Sequence, residues 1–141
     1  MSIISRIRDW IAKECPCLED FRALFVDFLP EGADAYSLEV TPSEPIVQRY
    51  INGDTLRRKQ FSFCSRVCYN DLDNLDTSEF FDDFQAWLEE CTAKGILPEL
   101  KEGQEAKSLT ALTDGYLYDQ AGNKAQYRIQ CKFIYQQKSS P

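Results

Sequence analysis

Six cysteines, Cys15, Cys17, Cys64, Cys68, Cys91 and Cys131, are the residues of this chain with the widest chemistry in reach. A thiolate can act as a nucleophile or metal ligand, and a thiol pair can form a disulfide. The chain contains no histidine. That removes the Ser-His-Asp and Cys-His nucleophile systems and every zinc site built on imidazole. Spacing removes more. Cys64 and Cys68 fall in a segment with strand alternation, which sets their Cα atoms ~13 Å apart at ~3.3 Å per residue. A disulfide needs them within ~7 Å, and one metal ion could not be shared over that span. Cys15-Pro16-Cys17 is a close pair that could serve redox or ligand chemistry, but a zinc ribbon needs two such pairs. Cys91 and Cys131 lie on apolar faces and read as small core residues. The start of the chain is interrupted by Arg6, Arg8 and Asp9. It does not read as a signal peptide, so reduced thiols are expected.

Carboxylates offer a second chemistry. Asp71, Asp73, Asp76, Glu79, Asp82, Asp83, Glu89 and Glu90 follow one another without an intervening base. The stretch from Asp71 to Asp76 resembles a calcium loop superficially. It lacks the central glycine, and its twelfth position is Asp82 where that loop carries Glu. No glycine-rich phosphate loop occurs. No two acids stand out as a glycosidic pair. The chain is thus expected to hold no catalytic residue, no cofactor and no metal.

Charge is unevenly spread. Arg49, Arg57, Arg58, Lys59 and Arg66 face one acid, Asp54, just before the acidic run begins. Two solvated faces, or pairing of a basic strand with an acidic helix inside one subunit, would account for this. Head-to-tail association is the other reading. A heterologous interface joins two different patches and closes into a ring when the rotation fits, and opposite charges would fix register. The candidate subunit-interface residues are Arg57, Arg58 and Lys59 against Asp82, Asp83 and Glu90.

At 141 residues the chain has the length of one ordinary domain, read as 1–141, and 43% of its residues are hydrophobic, enough for a sizeable core. No run approaches the ~20 apolar residues of a membrane span. A net charge of −7 disfavours sequence-independent binding of nucleic acid. A soluble intracellular protein is expected.

The elements that must position these groups are readable. Ile3, Ile7, Trp10 and Ile11 predict an N-terminal helix over about 3–15, capped by Ser2 and stopped by Pro16. The core is expected over about 20–136. Strands are predicted at Ala23–Leu29, Tyr36–Thr41, Ile46–Ile51 and Gln60–Tyr69, with Asn52-Gly53 as a tight turn. A second helix follows Asp76, with Glu79 completing a capping box. Phe80, Phe84, Trp87, Leu88 and Cys91 form its stripe, and Gly95 and Pro98 end it. Leu109–Tyr118 and Tyr127–Tyr135 close the chain as strands, and a polar tail, 137–141, is expected to fray. No internal repeat is visible. The order implies an α+β domain: a mainly antiparallel sheet with two helices on one face.

Certain residues resemble a known family. They include Pro45-Ile46-Val47, Tyr50, Gly53, Phe61-Ser62-Phe63, Ser65-Arg66 and Tyr69 in the first part. Trp87-Leu88-Glu89, Leu97-Pro98, Ala111-Leu112-Thr113, Gly115-Tyr116-Leu117-Tyr118 and Tyr127-Arg128-Ile129-Gln130-Cys131 continue the pattern. Over roughly residues 36–137 the chain resembles the minor capsid or tail terminator proteins encoded in the head–tail joining region of long-tailed phages and prophages. The resemblance implies a tail-terminator-like fold and a structural role without catalysis. Such proteins form hexameric rings that cap the tail tube and meet the head connector. The implied partners are further copies of the chain, the tail tube protein and the head–tail connector protein, with DNA passing the lumen unbound. The implied location is the virion's head–tail junction, after assembly in the host bacterial cytoplasm. Another minor capsid or neck role, or a small ligand-binding domain or enzyme, are the alternatives.

Overall fold

The computed structural model describes residues 2–15, 24–26, 35–68, 71–121 and 124–139, by backbone alone at 24–26, 35, 66–68, 71–78, 119–121 and 124–125. In chain order the elements are α1 (Ile3–Glu14), β1 (Leu24–Val26), β2 (Ala35–Thr41), β3 (Ile46–Arg49), β4 (Thr55–Cys68), α2 (Asp71–Lys94), β5 (Gln104–Ala111), β6 (Tyr116–Ala121) and β7 (Lys124–Gln137).

Local chemistry sets the ends of these elements. The Ser2 hydroxyl accepts the Ser5 N–H at 3.2 Å, which satisfies one of the unpaired donors at the start of α1. Cys15 turns extended (φ −75, ψ 114), as a residue before proline must. Gly95 adopts φ +75 after α2. There the Ile96 N–H reaches the Cys91 carbonyl at 2.9 Å and the Gly95 N–H the Thr92 carbonyl at 3.3 Å. This is a Schellman motif, and glycine carries it without a Cβ penalty. Gly53, at φ +93, closes the β3–β4 turn.

The strands form one sheet in the order β1-β2-β4-β7-β5, with β3 also on β4 and β6 also on β7. Its centre is the antiparallel β4–β7 pair, in register from Thr55↔Gln137 to Cys68↔Lys124. β2 and β3 share the outer side of β4, and β5 and β6 share the outer side of β7. Among the described strands only β1 departs from the antiparallel pattern, pairing parallel with β2.

Both helices pack on the same face. Leu38, Phe61, Phe63, Leu109, Ile129, Cys131 and Phe133 from the sheet are fully buried with Ile7, Ile11, Phe84 and Leu88 from the helices. Trp10 stacks on Trp87 at 4.7 Å and Phe63 on Phe84 at 4.6 Å. Each such aromatic contributes about 1.5–3 kcal/mol by leaving water. The free side of β5 is guarded. The Thr92 hydroxyl donates to the Leu109 carbonyl at 2.9 Å and accepts the Leu109 N–H at 3.1 Å. A register shift between Ala106 and Ser108 adds a bulge at Lys107, and both devices blunt an exposed edge.

The α+β architecture agrees with the sequence reading, but several bounds differ. α2 begins at Asp71, so Asp76 and Glu79 lie inside the helix instead of capping it. Acids in a first turn are favoured by the helix dipole, which lets the helix start before the capping signal. The stretch from Asp71 to Asp76, whose likeness to a calcium loop is only superficial, is helical. β4 starts at Thr55, and β7 runs from Lys124 to Gln137. Leu109–Tyr118 is not one strand: β5 ends at Ala111, and β6 begins at Tyr116. Within the predicted Ala23–Leu29 strand the described residues form β1, and residues 23 and 27–29 lie outside the described ones.

Gly115 occupies the break between β5 and β6. A Cβ there would stand 2.5 Å from both Cβ and Cγ of buried Phe81. Gly115→Ala should therefore destabilise the fold by about 1–3 kcal/mol through overpacking. An unchanged urea midpoint would refute this close approach.

Candidate functional site

Strand geometry decides the fate of the predicted basic patch. Arg57, Arg58 and Lys59 are consecutive in β4, so their side chains alternate between faces. In register with Tyr135, Ile134 and Phe133, they place Arg57 and Lys59 on the helix-bearing side and Arg58 on the open side. Arg57 Nε donates to Thr55 Oγ1 at 3.0 Å, and Arg58 Nε to the Glu44 carbonyl at 3.3 Å. Asp82, Asp83 and Glu90 are exposed on α2. Glu90 pairs with Lys94 at 2.6 Å, one helical turn on, and the Lys94 ammonium holds its carboxyl below the ordinary range. Among the described residues no ion pair joins the three bases to these three acids. The structure thus splits the bases between two faces and leaves both charge groups at the surface.

The described thiols lie out of reach of solvent. Cys15, Cys64, Cys91 and Cys131 are buried, while Cys17 and the Cys68 side chain lie outside the described residues. Burial, reinforced by the Glu39 carboxylate, pushes the Cys64 thiol up to about 12. Burial raises the Cys131 thiol further. Among the described residues no three His, Cys, Asp or Glu side chains gather as a metal cluster would.

A polar constellation on the open face escaped the sequence reading. Arg128 Nη2 meets Glu39 Oε2 at 2.6 Å, with both side chains largely covered. The Tyr118 ring lies 3.7 Å from the Arg128 guanidinium carbon, a cation–π cover. Gln130 Nε2 donates to the Tyr116 hydroxyl at 3.2 Å. Cross-strand register assembles the group: Ser37↔Cys64↔Arg128↔Tyr116 form one row and Glu39↔Ser62↔Gln130 the next. Ser37, Ser62 and Cys64 are fully buried beneath the longer chains. The Glu39–Arg128 pair ties β2 to β7 across β4, while the buried Ser37 hydroxyl and Arg128 Nε have no hydrogen-bond partner among the described residues. No local motif could have revealed it, because Glu39 and Arg128 meet only through the β2–β4–β7 register.

The β3–β4 turn makes the second prominent surface. Asn52 Oδ1 accepts the Asp54 N–H at 3.0 Å, and the Tyr50 N–H bonds the Asp54 carbonyl at 2.9 Å. Asp54 also accepts the Ser139 N–H at 2.9 Å, which keeps its carboxyl below the usual range. The tail expected to fray is therefore anchored at Ser139. A shallow cleft of about 650 Å³ lies beside the turn, lined by Gln48, Arg49, Tyr50, Ile51, Asp54 and Gln136 among others. Ile51 is fully exposed, and Val47 and Tyr50 are partly so. An apolar group on a rigid, polar-rimmed tip suits contact with a protein surface. Among the described residues no helix is long and apolar enough to cross a membrane.

Comparison with protein-family models and with curated proteins finds no match for this chain. The fold class, an α+β sheet covered by two helices on one face, stands on the structure alone.

The thiol environment has a measurable consequence. At pH 8 Cys64 and Cys131 should resist a thiol reagent until the protein unfolds, as peptide mapping by mass spectrometry will read. Native labelling of either residue would contradict their burial. The Cys64 thiol rises from 9.0 in the open chain to about 12 in the fold. Its neutral form therefore supports the fold fully below pH 9, and that support fades as pH climbs toward 12.

Proposed function

We propose that this chain is a non-catalytic assembly subunit of a long-tailed phage or prophage. In this reading it is a tail terminator at the head–tail junction, forming a ring that caps the tail tube and meets the head connector. The observation that carries the reading is the anchored β3–β4 tip, where Val47, Tyr50 and fully exposed Ile51 stand beside Arg49. A tip held by its own turn bonds and by Ser139 loses little freedom on binding, which favours a standing interface. The buried Cys64 and Cys131 thiols, raised by burial, and the Glu39–Arg128 ion pair support a scaffold instead of a reaction centre. The α+β fold agrees with the family resemblance of residues 36–137.

Contact between copies would bring the bases of β4 to the acids of α2. Arg57 and Lys59 are the candidates on the helix-bearing side, Arg58 on the open side, and Asp82 and Asp83 are free of the Lys94 pairing that occupies Glu90. Charge reversal at Arg57 and Lys59, or at Asp82 and Asp83, should impair ring assembly measured by native mass, with partial rescue when both are reversed. Normal assembly in each single reversal would remove this contact. The role itself is tested by deleting the gene from the phage and imaging lysates by electron microscopy. Overlong or headless tails are expected; normal virions would refute the proposal.

A further inference from the structure

We infer that the chain is a covalently joined dimer: two αβββ units related by a two-fold axis normal to the sheet, through the Phe61↔Cys131 pair. This goes beyond the proposed role and does not depend on it. The central strands β4 and β7 each hold 14 residues and pair along their whole length. Each carries two collinear partners on its outer side, β2 and β3 in one unit and β5 and β6 in the other. The outer path is interrupted alike. It steps from Thr41↔Gln60 to Ile46↔Arg57 in the first unit and from Ala111↔Cys131 to Tyr116↔Arg128 in the second. Five outer residues thus answer three inner ones in both.

A shift of 70 positions maps β4 onto β7 with faces preserved. It carries Arg58 to Arg128, Gln60 to Gln130 and Phe63 to Phe133. The fully buried pair Leu38↔Phe63 then answers the fully buried pair Leu109↔Phe133. One bulge of each unit coincides as well, whereas the Lys107 bulge of β5 has no counterpart in β2. Val47 bulges between partners Arg57 and Leu56, and Tyr118 between Tyr127 and Gln126, which are the same two positions 70 residues on. Bulges at matching places are designed features of a unit, not accidents of two unrelated hairpins.

The helices repeat the pattern. A shift of 77 positions carries Ile3, Ile4, Ile7, Trp10 and Ile11 to Phe80, Phe81, Phe84, Trp87 and Leu88. The equivalent tryptophans stack on each other at 4.7 Å, as residues beside a two-fold axis do. The first unit is seven residues longer between helix and inner strand, and this extra length includes β1. At Leu38 the outer edge of β2 is covered by β1, where the matching edge at Leu109 is covered by the Thr92 hydroxyl. Val47 and Tyr118 therefore stand as a matched pair of exposed apolar points at opposite ends of the sheet.

The two-fold axis fixes a distance that can be tested in the full chain. Eleven residues, 69–79, link Cys68 to Phe80, the last nine of them in α2. The shift of 70 positions carries Cys68 to Lys138, so symmetry demands that an equal bridge link Lys138 to Ile3. A circular permutant is opened between Tyr69 and Asn70, with Pro141 joined to Met1 through six Gly/Ser residues, so that this bridge also holds eleven. It should fold with the parent's circular dichroism and melt within about 5 °C of it. Folding only with a bridge of twice that length overturns the axis. If neither bridge folds, the unpermuted chain with a protease site at 69–70 decides. After cleavage, denaturation and removal of denaturant, reunion of the halves as a 1:1 complex upholds two units, and failure to reunite overturns them.

Discussion

The β4–β7 ladder is the constraint on which the rest depends. Its registered pairs, from Thr55↔Gln137 to Cys68↔Lys124, fix which side chains of both strands meet the helices. A slip of one residue would exchange the faces of β7, moving Ile129, Cys131 and Phe133 from the core to the open side. The aromatic packing of Phe63 against Phe84 prevents that slip from one side. The Glu39–Arg128 pair prevents it from the other, because the bond forms only when Arg128 lies in the same cross-strand row as Cys64. Core packing and the polar cluster thus enforce the same register independently.

The two faces solve burial differently. On the helix side, apolar side chains are simply removed from water. On the open side, short residues are sealed by long ones: Ser37, Ser62 and Cys64 lie beneath Glu39, Arg128 and Tyr118. A carboxylate and a guanidinium so covered are costly unless paired, and here each compensates the other. The same covering raises the Cys64 thiol and deprives it of thiolate character. The Cys64 thiol is thereby turned into packing.

What the sequence made legible was local. Ser2, Pro16, Asn52-Gly53 and Gly95 mark ends and turns because their effects act within a few residues. The alternation of Tyr127, Ile129, Cys131, Phe133 and Tyr135 marked the inner face, and all five are buried. The tertiary features were hidden. Arg57, Arg58 and Lys59 look like one patch in a line of letters, yet the pleat divides them. Phe81 falls outside the stripe read from Phe80 and Phe84, yet is buried against the β5–β6 break at Gly115. The repeat was invisible because helices and strands match at different shifts, 77 and 70 positions, and because isoleucines stand where the second helix has phenylalanines. Volume and polarity repeat, while identity does not.

A sheet built this way leaves function to its margins. The inner strands are committed to each other and the helix face to its core. The outer strands carry what is free: the bulged Val47 and Tyr118, and the Tyr50-Ile51 tip. A bulge re-aims one side chain without loosening the strand around it. At Tyr118 the re-aimed ring covers Arg128 while staying half-exposed, so one residue both seals the polar cluster and presents apolar surface. Asp54 does the same for the opposite tip, joining turn and chain end through Ser139. Exposed apolar groups held in place by the bonds that complete the fold are preorganised, and a partner that met them would not have to order them.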